Sequence, residues 1–418
     1  MKKLTAIVIG AGDRGTNAYA PYALSNPNKL EIVAIAEPLD HRRKAFMDKF
    51  SLKECQCYKS YQDILKEDKI ADIAIIATQD RMHFDPTIKA LNKGYNVLLE
   101  KPMSPNPKEC IEMAEVAEKN NKVLSICHVL RYTSFFQKIK EILDEGRIGN
   151  IVSVQHNENV GYYHQAHSFV RGNWRNSDET APMILAKSCH DMDILLYLIG
   201  KKCLNVSSFG SLIHFKEENA PKGAPRRCLD GCPNENTCAF YAPKFYLTDN
   251  INWPTSTISS DLSFEGRLKA LQEGPYGRCV YHCDNNVVDH QVVNLEFEGG
   301  ITASFTMCAF THDIGRSLKI MGTKGELRAV MGKREIEVHN FVDNSIERIS
   351  LPSSQSGHGG GDFGLIGDFV DLVSGKSNDS LSSAKVSVES HLMSLAAEKS
   401  RLEHKVISID DFYATYKG

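Results

Sequence analysis

The stretch TAIVIGAGDRG, Thr5 to Gly15, decides the fold class of this chain. Thr5 to Ile9 is an apolar, β-branched run that reads as a strand. Gly10-x-Gly12-x-x-Gly15 follows as a tight turn, and a polar-to-apolar stretch then opens a helix. Strand, glycine turn and helix in that order bring N-terminal amides and the positive end of the helix dipole against a pyrophosphate. Glycine is needed where a side chain would block that approach. A second strand, Glu31 to Ala36, ends in Glu37, where a carboxylate can accept both ribose hydroxyls and favours NAD over NADP. Arg42 and Arg43 stand close by and suit a 2′-phosphate instead.

The alternation continues with a helix at 41–50, a buried strand at 73–77, a helix at 85–92 and a buried strand at 96–99. Short all-apolar strands between helices predict a parallel sheet covered on both faces, with ligands at the carboxyl ends of its strands. Thr78, Gln79, Asp80 and His83 fall at one such end, and Glu100 and Lys101 at another. A lysine buried there suits a proton carrier or an electrostatic anchor, because desolvation lowers its pKa.

The 418 residues suggest two or three domains at roughly 150 residues each. An apolar share of 42% with 24% charged residues is ordinary globular composition and excludes disorder and low complexity. A formal charge of −3, with no dense basic stretch, argues against nucleic acid. No apolar run approaches the roughly 18 residues of a membrane span. The apolar opening run is too short for a secretory leader and meets Asp13 and Arg14. The expectation is a cytoplasmic protein in a reducing setting.

GAGDRG at 10–15, AEP at 36–38, ATQDRMH at 77–83, EKPMS at 100–104, HVLRY at 128–132 and CHDMD at 189–193 stand in family-like order. On these motifs the chain resembles the Gfo/Idh/MocA family of NAD(P)-dependent sugar and polyol oxidoreductases over essentially its full length. The resemblance implies a Rossmann domain, placed at 1–127, followed by an α/β domain at 128–418. That second domain would carry a large open, mostly antiparallel sheet, one face of which holds substrate and often joins copies into a homo-oligomer. Cofactor contacts are expected at Gly10, Gly12, Asp13, Arg14, Gly15, Glu37, Thr78, Gln79, His83, Glu100 and Lys101.

Past residue 127 the pattern changes to alternating strands at 151–160, 206–215, 288–297, 301–310, 317–321 and 335–340, with Glu298-Gly299-Gly300 as a turn. Amphipathic helices at 134–145 and 182–199 would cover one face. The second helix carries Lys187, His190 and Asp193 at three-residue spacing, predicting one shared face. Histidine there can take a hydroxyl proton as hydride leaves the same carbon, and Asp193 can orient it. In the resembled family a carboxylate precedes this histidine by four residues, whereas Ala186 stands here. The expected catalytic set is therefore Lys101, Lys187 and His190.

The segment GYYHQAHSFVRGNWRNS at 161–177 is rich in aromatics and hydrogen-bond donors, as a sugar site requires. Tyr162, His164, His167, Arg171, Trp174 and Arg175 are its substrate candidates, with Arg131, Lys187 and Asp193 from the motifs above. His164 and His167 are also spaced like a metal pair. The polar clusters at 289–291, 311–313 and 358–362, the last beginning at His358, are further cleft candidates. Cys228, Cys232, Cys238, Cys279 and Cys283 lie in a segment of poor periodicity at 218–285, read as an insertion without its own core. Such clustering suits a structural zinc site first, with an iron–sulfur cluster, disulfides or free thiols as alternatives.

Together these features predict an NAD-dependent dehydrogenase acting on a secondary hydroxyl of a sugar, glycoside or polyol. One alternative is a glycosidase-like enzyme that cleaves through transient oxidation and elimination. The other is a nucleotide-sensing regulator without catalysis.

Overall fold

The computed structural model describes residues 3–352 and 357–417, with backbone alone at 357 and 358, so the His358 side chain lies outside it. The first sheet holds β1 (Leu4–Ile9), β2 (Leu30–Ala36), β3 (Cys57–Tyr58), β4 (Ile73–Ile76), β5 (Asn96–Leu99) and β6 (Leu124–Ile126), all parallel, in the order β3-β2-β1-β4-β5-β6. Ile7, Val8, Ile9 and the whole of β4 are buried, as a sheet covered on both faces requires. The strand order reverses beside β1. This opens a crevice at the carboxyl ends of β1 and β4, the ligand position of doubly wound sheets.

The second sheet has nine strands: β7 (Ile151–Asn159), β8 (Cys203–Ser211), β9 (His290–Phe297), β10 (Ile301–Cys308), β11 (Gly315–Gly322), β12 (Gly325–Val330), β13 (Glu335–Asn340), β14 (Ile346–Ser350) and β15 (Ile407–Ser408). Their order is β14-β13-β12-β11-β7-β10-β9-β8-β15, and every neighbouring pair is antiparallel except β7 with β10. Gly299 and Gly300 both have positive φ in the β9–β10 turn, which explains the glycine pair. On β7, Val154, His156 and Glu158 are buried while Val152, Gln155 and Asn157 are exposed. The covered face packs the helices Ser134–Asp144, Cys189–Ile199 and Ala384–Glu403.

Three expectations change. The helix predicted at 182–199 is two, Met183–Ala186 and Cys189–Ile199, with the break at Lys187 and Ser188. Lys187, His190 and Asp193 therefore do not share a face. The Lys187 ammonium goes to Glu158 on β7 (3.2 Å), while the Asp193 carboxylate goes to Arg131. The insertion between β8 and β9 is not coreless: Phe215, Phe240, Val280 and Tyr281 bury together with Ala166 and Val170, and Ala242, Tyr246 and Leu271 form a second cluster with Cys228. Finally, the chain returns to the first domain. Leu365, Ile366 and Phe369 of the helix Gly361–Val373 bury in the same core as Val8, Tyr19, Tyr22 and Val129.

Arg131 and Asp193 form a buried, two-pronged pair, Nε to Oδ2 and Nη2 to Oδ1 both at 2.7 Å, and Arg131 Nη1 donates to the Leu381 carbonyl. Removing one partner strands the other charge in the core. Arg131→Met should cost about 3–5 kcal/mol, read as a lower denaturant midpoint. Adding Asp193→Leu should restore most of it, and a further drop in the double variant would refute the pairing as the source.

Candidate active site

The turn after β1 shows why its glycines differ. Gly10 has φ +98°, and a Cβ there would lie 2.5 Å from the Ala77 carbonyl oxygen. A Cβ on Gly15 would lie 2.2 Å from the Gly10 oxygen. Both are compelled by packing of the turn on itself and on β4. A Cβ on Gly12 meets nothing within 4 Å. The open side of the turn is thus at Gly12, as close approach by a pyrophosphate requires. Asp13 and Gln79 are exposed and Thr78 is half-buried around this opening, with Thr78 Oγ1 donating to the Met82 carbonyl. Arg14 to Tyr19 form a wide helical turn, in which Ala20 N donates to the Gly15 oxygen at 3.2 Å.

Glu37 is buried, and its two oxygens accept the Ala11 and Leu39 amides at 2.8 and 3.0 Å. Each oxygen has capacity left for a ribose hydroxyl. Arg43 is turned aside, donating to the Glu37 backbone oxygen at 2.7 Å and pairing with Asp40, and Arg42 is exposed on the following helix. Glycine turn, open approach and carboxylate together fit a dinucleotide.

Beneath the cradle, Arg14 pairs with Glu100 at 2.6 Å and Asp362 at 2.7 Å, and Tyr19 donates to the same Glu100 oxygen at 2.7 Å. Burial alone would raise the Glu100 pKa, but Arg14, Lys101 and Tyr19 outweigh it and hold the carboxyl below its ordinary range. Arg14 and Glu100, expected as cofactor contacts, bind each other here. His83 is fully buried, with Nδ1 2.7 Å from the Pro102 oxygen and Nε2 3.1 Å from the Thr78 oxygen. It braces the two strand-end loops to one another.

Lys101 crosses the domain boundary and donates from Nζ to the Ala186 carbonyl at 3.0 Å. Ala186 stands where the resemblance leads one to expect a carboxylate, and the helix break at 187–188 leaves its carbonyl turned to the lysine. Asp80 lies close by, raised above its ordinary pKa by burial despite His83 and Lys101, and accepts the Trp174 indole N–H at 3.2 Å. The His190 ring meets His128 edge-on with centroids 5.8 Å apart, and His128 in turn meets His391 at 5.3 Å. Lys187 belongs to a buried chain of charges. Glu158 takes both Lys187 and Arg316, Arg316 continues to Asp191 at 2.7 Å, and Asp191 reaches His156 at 2.8 Å. Burial pushes the Asp191 pKa up, but Arg316 and His156 bring it down to about 2. Glu158, Arg316 and His156 carry no sequence signal for these contacts, because β-strand alternation marks a buried position without saying what it faces; His128 opens the HVLRY stretch, which does not reveal its ring contacts.

Of the 161–177 candidates, Trp174 donates to Asp80 and His164 lies beside the Lys187 charge. His164 is held neutral by burial and then by the Lys187 charge, and the Trp253 ring meets it edge-on at 4.9 Å. Tyr162 and Tyr163 stack among Phe245 and Trp253. Trp253, on the insertion, is 43% exposed, and no motif in the sequence marks it. Arg171 is instead buried in the insertion, donating to the Arg278 and Phe240 carbonyls, and Arg175 pairs with Asp284. The expected histidine metal pair is not formed: His167 nitrogens face the Tyr246 hydroxyl at 2.9 Å and the Thr257 hydroxyl at 3.1 Å. Zinc is likewise unsupported. Among the described residues no three His, Cys, Asp or Glu side chains converge as one ion needs, and the twelve cysteines are free thiols.

The fold and the open, carboxylate-edged turn define a two-domain protein of the nucleotide-dependent oxidoreductase class. Residues 4–128 match the family model described as oxidoreductase family, NAD-binding Rossmann fold, and residues 140–380 the one described as its C-terminal alpha/beta domain. The chain belongs to the Gfo/Idh/MocA oxidoreductase family. It is 24% identical over 316 residues to the Bacillus subtilis protein named "Putative oxidoreductase YteT", covering 71% of each chain. It is 30% identical over 152 residues to inositol 2-dehydrogenase of Salmonella typhimurium, covering 36% of this chain and 44% of that one. Among solved structures, levoglucosan dehydrogenase with NADH and L-sorbose shares the fold with a TM-score of 0.73 at 17% identity, over 98% of this chain and 99% of that one. No helix among the described residues is long and apolar enough to cross a membrane.

Two outcomes follow from this geometry. Gly12→Ala should leave stability within about 0.5 kcal/mol of the parent yet weaken dinucleotide binding in a titration, whereas Gly15→Ala should lose both. Equal stability losses would refute the distinction. Burial holds the His128 imidazole down to about 4 and His391 to about 3, against about 6.5 when exposed. The unfolded chain takes these protons below about pH 6.5 and the folded chain does not. Their stabilising contribution is therefore full above pH 6.5 and lost as pH falls toward 4. His391→Gln should flatten that part of the curve of Tm against pH, and an unchanged slope would count against it.

Proposed function

We propose that this protein is an NAD-dependent dehydrogenase that oxidises a secondary hydroxyl of a sugar, glycoside or polyol. The observation that carries the reading is the Lys101–Ala186 contact, which holds an ammonium from the first domain beside the helix of His190, at the strand ends where the cradle opens. NAD, when bound, supplies the hydride acceptor. His190 accepts the hydroxyl proton, since imidazole titrates near working pH. Lys101 stabilises the negative charge that develops on the same oxygen. Lys187, neutralised by buried Glu158, presents a fixed donor to a neighbouring hydroxyl. Tyr163, His164 and Trp253 offer rings and an N–H of the kind that grip C–H faces and hydroxyls of a pyranose or cyclitol. The preference for NAD rests on Glu37 and on the engagement of Arg43 with Glu37 and Asp40. Kinship with inositol 2-dehydrogenase and with 2,7-anhydro-N-acetylneuraminate hydratase of Escherichia coli supports the substrate class.

A screen of sugars, glycosides and cyclitols, followed by NADH absorbance with product analysis, tests the reading. Net NADH with an intact carbon skeleton is expected. Bond cleavage without NADH accumulation would move the protein to the oxidation–elimination cycle, and no turnover of any hydroxylated substrate would favour a sensor. His190→Ala should lower turnover by roughly 10²–10⁴ with NAD affinity unchanged, and unchanged turnover removes it as the base. NAD should bind more tightly than NADP in direct titration, and the reverse order overturns the cofactor assignment.

A further inference from the structure

Three aromatic rings stand together where the insertion meets the candidate site. Tyr163 lies nearly parallel to Phe245, with centroids 6.4 Å apart and planes 24° from one another, and Trp253 meets the same tyrosine at 6.4 Å. Phe245 and Trp253 come from the insertion between β8 and β9, and Tyr163 from the turn that leads into Gln165–Arg171. Trp253 is 43% exposed and nearby Ile251 47%. An exposed apolar patch bordering a cleft marks a surface that a ligand covers.

The exposed indole is fixed in place. Thr255, two residues on and buried, donates from Oγ1 to the Phe245 carbonyl at 3.3 Å, and the Thr257 hydroxyl meets His167 Nε2 at 3.1 Å. The Trp253 ring stands nearly perpendicular to those of His164 and His167, with centroids at 4.9 and 5.6 Å. A ring already ordered in the free protein loses little freedom when a ligand covers it.

Two features indicate what that ligand is. The first is the polar edge of each ring. Trp174 spends its indole N–H on Asp80, and the Tyr246 hydroxyl meets His167. The Trp253 N–H and the Tyr163 hydroxyl have no protein partner among the described residues. Apolar faces with unspent donors at their edges complement a molecule with C–H groups on its faces and hydroxyls on its rim, which is a pyranose.

The second feature is position. His164, against which Trp253 packs, lies beside the Lys187 charge, so the aromatic surface is continuous with the ammonium groups of the site. No ring contact joins Trp253 to Trp174, His128 or His190 among the described residues. Trp253 therefore stands outward of these groups, and a ligand that engages both is longer than one ring.

We propose that Trp253 and Tyr163, with Phe245 supporting the tyrosine, form a subsite for the second ring of a glycoside, an inference that rests on Lys101, Lys187 and His190 being the reacting end. The preferred substrate is then a disaccharide or longer saccharide, not a free monosaccharide or cyclitol. Its terminal ring is oxidised, and the next ring lies against Trp253. Binding energy from that unreacting ring raises kcat/KM for the glycoside.

The full chain has two tryptophans, so its emission reports on the subsite without turnover. Glucose is titrated against cellobiose and maltose, galactose against lactose, mannose against mannobiose, and xylose against xylobiose. At least one disaccharide should change the emission and bind tenfold or more tightly than its monosaccharide. The signal should persist in Trp174→Phe and vanish in Trp253→Phe. Trp253→Ala should erase the advantage, and Trp253→Tyr should retain most of it. In turnover with NAD, Trp253→Ala should cut kcat/KM for that disaccharide at least tenfold more than for the monosaccharide. No disaccharide binding more tightly than its monosaccharide, or equal losses for both in Trp253→Ala, would overturn the subsite. A disaccharide that binds over Trp253 while no NADH forms upholds the subsite and removes the dehydrogenase reading instead.

Discussion

One cation between two buried carboxylates organises the nucleotide end of the molecule. Arg14 begins the wide turn that contains Gly15, Glu100 follows β5, and Asp362 lies at the start of a helix more than 340 residues further along the chain. An ion pair in this setting is retained only if each charge finds its partners, because desolvation of an unpaired member costs several kcal/mol. Tyr19 completes the arrangement by donating to Glu100. The consequence is geometric. Lys101 is the next residue after Glu100, so the clamp that fixes the carboxylate also fixes the backbone from which the lysine projects toward Ala186. The glycine turn, the lysine and the returning helix Gly361–Val373 are held as one unit.

The same logic recurs on the substrate side. Lys187, Glu158, Arg316, Asp191 and His156 form a continuous buried chain in which each charge is paired with at least one neighbour. The Lys187 side chain, at the end of this chain of charges, remains 18% exposed. The Ala186 backbone carbonyl meets Lys101, and Lys187 beside it pairs with Glu158 of β7. Ala186 thus ends a short helix at the break before Cys189–Ile199.

Much of the fold was legible in the chain. Apolar β-branched runs and glycine spacing mark β1, β2, β4 and β5, and period-two alternation marks most of the second sheet. Shorter or more polar strands, such as β3, β6, β12 and β14, were missed because their pairing comes from neighbours and not from their own pattern. At the candidate site, the open position of Gly12, the buried Glu37 after β2 and Lys101 after β5 fall where motif spacing and strand ends place them. Arg131, Asp193, Arg171 and His83 were read as ligand contacts, yet the structure places them in buried contacts within the protein. A charged or imidazole side chain looks the same in sequence whether it meets solvent, ligand or a partner far away in the chain.

By itself the sequence determined the order of elements, the glycine turn, the carboxylate that ends β2 and the presence of clustered thiols, because each depends on local spacing or on residues near one another in the chain. Only the tertiary structure decided which charges cancel, where the helix of His190 breaks, that Trp253 of the insertion packs against Tyr163 and His164, and which four of five cysteines share a cavity. These depend on contacts between residues tens to hundreds of positions apart, and burial of charge makes such contacts selective: a misplaced partner leaves an ion uncompensated, so the fold admits few alternatives.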